Sequence, residues 1–94
     1  MFEWDEDKRN ATIAKHGIDF LDALEVFGSD HLIVPARSEI EQRECAIGVV
    51  NGRLVVVFFT RRGEVIRLIT ARRARKNERE EYYARFPRGG ETPS

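Results

Sequence analysis

Arginine side chains that could hold a phosphate group are concentrated in the second half of the sequence. Residues 48–94 contain ten arginines and a single lysine. A planar guanidinium group grips a phosphate through two parallel hydrogen bonds, whereas an ammonium group acts as a point charge. The sequence therefore predicts a phosphate-binding surface, with these candidates: Arg67, Arg72, Arg73, Arg75, Lys76 and Arg79.

Arg67 lies within a predicted strand, residues 64–70, and is surrounded there by apolar residues. On that strand it shares a face with Val65, Ile69 and Ala71. An unpaired charge buried among such neighbours costs several kcal/mol, about 3–5 by typical measurements. Two interpretations remain open: an ion pair with a carboxylate near the N-terminus, or a phosphate site.

A second group of cations follows that strand and is expected to lie on one side of a helix. If the helix begins near Ala71, four cations fall within an arc of about 100–120°, with Arg73 to the side: Arg72, Arg75, Lys76 and Arg79. Backbone N–H groups at a helix start favour anions. The alternative is a solvated face, partly paired with Glu78, Glu80 and Glu81.

Lys8 and His16 are the candidates for proton transfer. Histidine is the side chain that changes charge near neutral pH unaided. A lysine does so only where a buried or cationic setting lowers its pKa. The alternative for His16 is a structural role, capping the last carbonyls of the helix that it ends.

Tyr82 and Tyr83 could stack on unpaired RNA bases, which proteins often read with aromatic rings. Because Tyr82 and Phe86 are one helical turn apart, a core position is the alternative. His31 and Cys45 give little indication of a function, and no spacing in the sequence suits a metal site or a cofactor.

Two short helices are predicted near the N-terminus. The first is capped by Asp5 and runs to about His16, with Gly17 in a left-handed conformation after it. The second is capped by Asp19 and closed by Gly28.

Strands and a last helix follow. Pro35 is expected to halt the first strand, and Asn51-Gly52 to form a tight hairpin. The predicted strands are 31–34, 44–50, 53–60 and 64–70, with a loop over 36–43 and a helix over 71–86. The third strand is apolar on both faces and is placed centrally.

This order predicts the α+β class: two N-terminal helices, a four-stranded antiparallel meander and a C-terminal helix. Phe2 and Trp4 alternate with Glu3, which suits a short additional N-terminal strand. We expect a single domain over residues 1–86 and a flexible tail over 87–94.

Composition and charge indicate the class of protein, the kind of partner and the cellular location. The chain has 94 residues, of which 41% are hydrophobic, and nine aromatics, as in a small globular protein. Its zero net charge hides a charge of −6 over residues 1–47 and +6 over residues 48–94, an asymmetry that indicates a polyanionic partner. One cysteine, no apolar run long enough for a bilayer and an acidic N-terminus without a signal pattern predict a cytoplasmic protein.

Several sequence blocks resemble the BrnT toxin family. The N-terminal blocks are Phe2-Glu3-Trp4-Asp5-Glu6, Lys8 and Lys15-His16-Gly17-Ile18-Asp19-Phe20, followed by Ala23, Val26-Phe27, Arg43 and Ile47-Gly48. The C-terminal blocks are Gly52-Arg53-Leu54, Val56-Val57, Thr60, Arg62-Gly63, the run from Ile66 to Ala74, Glu78-Arg79 and Tyr82. The resemblance covers about residues 2–85. Thr12 departs from it, since many relatives have asparagine there.

The resemblance implies a RelE-like fold and a ribonuclease that blocks translation. It also implies neutralisation by a BrnA antitoxin with a ribbon-helix-helix DNA-binding part, in a complex that represses its own promoter. DNA would then be contacted only through that complex.

Together these observations predict a metal-independent RNA endonuclease in which the ribose 2′-OH attacks the adjacent phosphate. Arg67 and Arg72 would hold the phosphate, and Lys8 or His16 would transfer the proton. The RNA-binding residues would be Arg43, Arg73, Arg75, Lys76, Arg79 and Tyr82. The alternative is a non-catalytic module whose arginine-rich face only binds a nucleic acid or a protein.

Overall fold

A mixed β-sheet with helices on both faces forms the part of the chain that the computed structural model describes, residues 1–36 and 43–87. The elements are β1 (Phe2–Glu3), α1 (Glu6–His16), α2 (Phe20–Ala23), a 3₁₀ helix (Leu24–Gly28), β2 (Leu32–Ala36), β3 (Arg43–Val50), β4 (Arg53–Arg62), β5 (Val65–Arg73) and α3 (Lys76–Arg85). Within this part the strand order is β1-β5-β4-β3-β2. The antiparallel meander β2 to β5 is as predicted, and the additional strand β1 runs parallel to β5.

The two N-terminal helices are joined by an arginine–aspartate pair. The predicted caps are confirmed: Asp5 accepts a hydrogen bond from the Asp7 N–H, Asp19 accepts one from the Leu21 N–H, and Gly17 has φ +70°. The Arg9 guanidinium donates to both carboxylate oxygens of Asp19, at 2.8 and 2.9 Å. This double hydrogen bond fixes the angle at which α2 leaves α1.

Replacing Asp19 by alanine is expected to destabilise the protein more than replacing Asp5 by alanine. Either variant loses an N-cap, which costs about 1 kcal/mol. Only the Asp19 variant also loses the pair with Arg9, a smaller additional loss at a partly exposed site. Urea unfolding of the two variants measures the difference, and equal losses would mean that the pair contributes nothing.

The same pair predicts a pH dependence. Hydrogen bonds from Arg9 and from the Leu21 N–H lower the pKa of Asp19 from 3.8 to about 2. Since the folded-state pKa lies below the unfolded one, the ionised carboxylate contributes fully above about pH 4. That contribution disappears as the pH falls toward 2. The melting temperature of Asp19→Ala should therefore vary less over this range than that of Asp5→Ala.

Two apolar cores lie on opposite faces of the sheet. On one face Phe20, Ala23 and Val26 pack against β4 and β5; on the other, Tyr82 of α3 packs against Ile47 and Val56. The predicted central strand is confirmed as β4, which is apolar on both faces because both faces are covered. The Asn51-Gly52 hairpin is confirmed as well, with φ values of +50° and +77°.

The predicted start of the C-terminal helix is wrong. Strand β5 continues to Arg73, and α3 begins at Lys76 rather than near Ala71. Ala71, Arg72 and Arg73 pair instead with the apolar residues 55–57 of β4. Hydrogen bonding to this central strand outweighs the helical preference of an alanine–arginine segment.

A β-bulge changes which residues of β5 share a face. Thr70 pairs with Phe58 and Leu68 pairs with Phe59, which leaves Ile69 without a partner on β4. Ala71 consequently joins Leu68 in the core beneath α1 and α2. The predicted common face of Arg67 and Ala71 is therefore wrong, because the bulge interrupts the alternation.

Pro35 does not halt its strand. It lies inside β2, paired with Glu44, and β2 is an outer strand of the sheet, where proline is tolerated. Of the loop predicted over 36–43, the two ends are strand residues and 37–42 lie outside the described residues. The predicted tail lies outside them too, apart from Pro87. Each described helix is too short or too polar to cross a bilayer.

Candidate functional site

A groove on the α3 face of the sheet brings three of the predicted arginines together. We call it the arginine groove; its volume is about 680 Å³, and Arg43, Arg72 and Arg75 line it. They come from three places: the start of β3, the end of β5 and the residue before α3. Phe58 contributes to the apolar floor, and the wall from α3 carries Glu78 and Glu81.

Arg72 is held in a fixed orientation in this groove. Its guanidinium donates to both oxygens of Glu78, at 2.7 and 2.8 Å, and lies 5.2 Å from the centre of the Phe58 ring. The side chains of the pair are 19% and 17% exposed. The hydrogen bond from Arg72 lowers the pKa of Glu78, and the same bond raises the pKa of Arg72, so both stay charged. Because Glu78 accepts from both terminal nitrogens, an anion can bind this oriented guanidinium only through its remaining N–H groups.

Glu78 also determines where α3 begins. Its Oε1 accepts a hydrogen bond of 2.7 Å from the Arg75 N–H, the capping interaction of the first turn. One carboxylate thus connects the end of β5 to the start of α3. It places Arg72 and Arg75 on the same groove although one is in a strand and the other precedes a helix.

Tyr82 packs in the core beneath these residues and does not line the groove. It is 6% exposed, its hydroxyl donates to the Asp30 carbonyl at 3.2 Å, and its ring contacts Tyr83 and Phe86. Base stacking on Tyr82 is therefore wrong, because its ring is enclosed by the core. Cys45 is buried as well, and burial raises the pKa of its thiol, which disfavours the nucleophilic thiolate.

A second groove lies on the opposite face, beneath α1 and α2. We call it the histidine groove; its volume is about 320 Å³, with Val50 and Val55 among its lining residues. The polar residues that line it include His16, Asp19, Asp22, Asn51, Arg53 and Arg73. Asp19 is engaged by Arg9, whereas Arg53 and Arg73 form no ion pair within the described residues.

Lys8 lies beside this second groove. It is exposed on α1 and lines a shallow depression of about 150 Å³ with Lys15, His16 and Thr70. Thr12 forms the base of the depression: it is buried, and its hydroxyl donates to the Lys8 carbonyl at 2.8 Å. Lys8 and His16 are therefore close to each other, on the side of the sheet away from Arg72.

Arg67 lies in a third place. Its guanidinium donates to Glu3 at 2.7 Å, and its side chain is 35% exposed. This is the N-terminal ion pair that the sequence left open. Lys76 and Arg79 are exposed on α3 and line neither groove.

The structure does not bring Lys8, His16, Arg67 and Arg72 into one site. Arg72 and Arg73 are consecutive strand residues and point to opposite faces, so the predicted arginine cluster is divided between two grooves. The sequence prediction did not include Phe58, Glu81, Asp22 or Arg53. The sequence could have indicated Arg53, because the predicted Asn51-Gly52 hairpin pairs it with Val50, which lines the same groove. Within the described residues, no three His, Cys, Asp or Glu side chains are grouped to hold a metal ion.

Comparisons with known proteins agree on one family. The family model described as "Ribonuclease toxin, BrnT, of type II toxin-antitoxin system" matches residues 4–78. The crystal structure of the Brucella abortus ribonuclease toxin BrnT matches with a TM-score of 0.65 and 37% sequence identity, over 81% of this chain and 100% of that one. A search of curated proteins gave no match.

Proposed function

This chain belongs to the BrnT family of ribonuclease toxins of type II toxin–antitoxin systems, and we propose that it cleaves RNA in the arginine groove. The observation that supports this location is the meeting of Arg43, Arg72 and Arg75, from three different elements, in one groove. Its volume, about 680 Å³, falls in the range of ligand sites, roughly 300–1,000 Å³. The Phe58 ring offers an apolar surface beside the charges.

In the proposed reaction the ribose 2′-OH attacks the adjacent phosphorus. The new bond joins the 2′-oxygen to phosphorus, and the bond to the 5′-oxygen breaks, leaving a 2′,3′-cyclic phosphate and a 5′-hydroxyl that takes a proton from water. Arg72, with Arg43 and Arg75, stabilises the negative charge that develops on the phosphate oxygens. Glu78 already accepts hydrogen bonds from Arg72 and Arg75, so we assign the 2′-OH proton to Glu81.

This assignment moves proton transfer away from Lys8 and His16. Both are residues of α1, and the sheet separates them from Arg72. In the proposal neither group reaches the phosphate that Arg72 holds.

Cleavage is expected to continue in the presence of EDTA and to need the 2′-OH at the cleaved position. An RNA with a single 2′-deoxynucleotide at its mapped cleavage site should resist cleavage there, because no internal nucleophile remains. The measurement is product analysis by gel and mass spectrometry with antitoxin-free protein. Cleavage at a second site in the same RNA is the internal control.

Loss of activity in EDTA, or products that carry a 5′-phosphate, would contradict this mechanism and indicate a metal-activated water. RNA left intact by folded protein, with and without ribosomes, would contradict the site itself.

Membership of a type II system implies an antitoxin partner. The proposed partner is a BrnA-like antitoxin with a ribbon-helix-helix part, through which the complex would bind its promoter DNA. It would inhibit by covering the arginine groove with an acidic or amphipathic segment. Freed in the cytoplasm, the toxin would cleave RNA and thereby stop translation.

A further inference from the structure

The histidine groove contains two arginines that the strand register places side by side. Arg73 of β5 pairs with Val55, and Arg53 is two residues before Val55 on β4. Residues in this diagonal relation lie roughly 7–8 Å apart on the same face of the sheet, with their β-carbons somewhat closer. Two guanidinium groups can therefore reach one phosphate or two consecutive ones.

The charge of this groove is also suited to an anion. Arg53 and Arg73 are exposed and form no ion pair within the described part of the chain. Of the two carboxylates, Asp19 is neutralised by Arg9, which leaves Asp22 against two arginines. Asn51 and Asp22 provide polar groups suited to the edge of a base. The volume of about 320 Å³ is at the lower end for a ligand site, as expected for a nucleotide-sized ligand.

The end of β5 contributes a lining residue to each of the two grooves. Arg72 and Arg73 are consecutive, and their side chains point into the arginine groove and the histidine groove respectively. Beyond Arg67 the outer side of β5 has no strand partner within the described residues, because β1 pairs only with Ile66 and Arg67. Lys8 and Lys15 line the depression beside this part of β5. Positive groups thus continue around the strand from one face to the other.

We propose that the histidine groove is a second binding site for single-stranded RNA, occupied by a nucleotide of the same strand whose scissile phosphate lies in the arginine groove. The strand passes around the outer side of β5, and Arg53 and Arg73 hold its phosphate. This inference rests on the proposed function, since it takes the arginine groove as the cleavage site. An acidic segment of the antitoxin is the competing occupant.

The test compares two double variants that remove the same charge. Arg53→Ala/Arg73→Ala changes the histidine groove, and Arg62→Ala/Arg85→Ala removes two exposed arginines that line neither groove. The ligands are 2′-O-methyl RNAs of three and twelve nucleotides, which cannot be cleaved through a 2′-OH. Affinity is measured by fluorescence anisotropy over a range of salt, with thermal unfolding as a check of folding.

The groove variant should bind the long RNA at least about tenfold more weakly than the control. A plot of the logarithm of its binding constant against the logarithm of the salt concentration should be less steep, by about 0.7 for each phosphate that the variant no longer binds. Its affinity for the trinucleotide should match the control, since the arginine groove alone suffices for that ligand.

Equal binding of the long RNA by both double variants would overturn the inference. So would a loss of antitoxin affinity confined to the groove variant while its RNA affinity stayed unchanged. An Arg72→Ala variant, assayed for cleavage in parallel, separates the two hypotheses. If it loses cleavage while the groove variant behaves as the control, only the second site fails; if it cleaves normally, the proposed function fails.

Discussion

Replacing Arg72 by alanine is expected to lower the single-turnover rate of RNA cleavage by about 10²- to 10³-fold, the usual effect of removing one donor that stabilises a developing oxyanion. Arg72 is fixed by Glu78 and by the Phe58 ring before RNA binds. Arg72→Lys should not restore the rate, because an ammonium group cannot reproduce the two parallel hydrogen bonds to Glu78 or the contact with the Phe58 ring.

Arg67→Ala is the matched control, since it also removes an ion-paired arginine of β5 but outside both grooves. It should keep nearly the full rate. Because Arg72→Ala leaves Glu78 without its partner, the variants are compared only at temperatures where unfolding curves show them folded. A lysine variant with full activity, or an Arg67 variant as slow as Arg72→Ala, would contradict the assignment.

The starts of the two N-terminal helices were predictable because local chemistry determines them. Asp5 and Asp19 each satisfy free N–H groups at a helix start, and Gly17 takes a φ of +70° that other residues rarely adopt. The Asn51-Gly52 hairpin follows from the same kind of local preference. None of these features depends on distant parts of the chain.

The start of α3 was not predictable because it depends on a distant strand. Residues 71–73 have good helical propensity, yet they complete the sheet beside residues 55–57. The ladder hydrogen bonds and the burial of Ala71 decide between the two states. Helix α3 then begins where Glu78 can accept from the Arg75 N–H.

This one error changes the site. On a helix, Arg72 and Arg73 would lie about 100° apart, on one broad surface. On a strand they point in opposite directions, so one chain segment supplies cations to two grooves. Of the arginines that the sequence singled out, Arg43, Arg72 and Arg75 line one groove and Arg73 lines the other, whereas Arg67 and Arg79 line neither. Their division between faces required the register of β5, including the bulge at Ile69.

The same alternation predicts different effects for alanine substitutions at two neighbouring phenylalanines of β4. Phe59 is fully buried in the core beneath α1 and α2 and packs against the Phe27 ring at 5.3 Å. Phe59→Ala should lower the free energy of unfolding by about 3–5 kcal/mol. That is a large part of the roughly 5–15 kcal/mol typical of a whole domain, so partial unfolding at 37 °C is expected. Urea denaturation measures the loss.

Phe58→Ala is the matched partner, one residue away and on the other face. Phe58 is half-buried under Arg72, so its loss should cost about 1–2 kcal/mol of stability. It should nevertheless slow RNA cleavage more than Phe59→Ala does, when both are assayed at a temperature where both are folded. The reason is that Phe58 restricts the orientation of the guanidinium that receives the phosphate, whereas Phe59 acts only through the stability of the fold. Full cleavage by Phe58→Ala would show that the ring is not needed to orient Arg72 and that its two hydrogen bonds to Glu78 suffice.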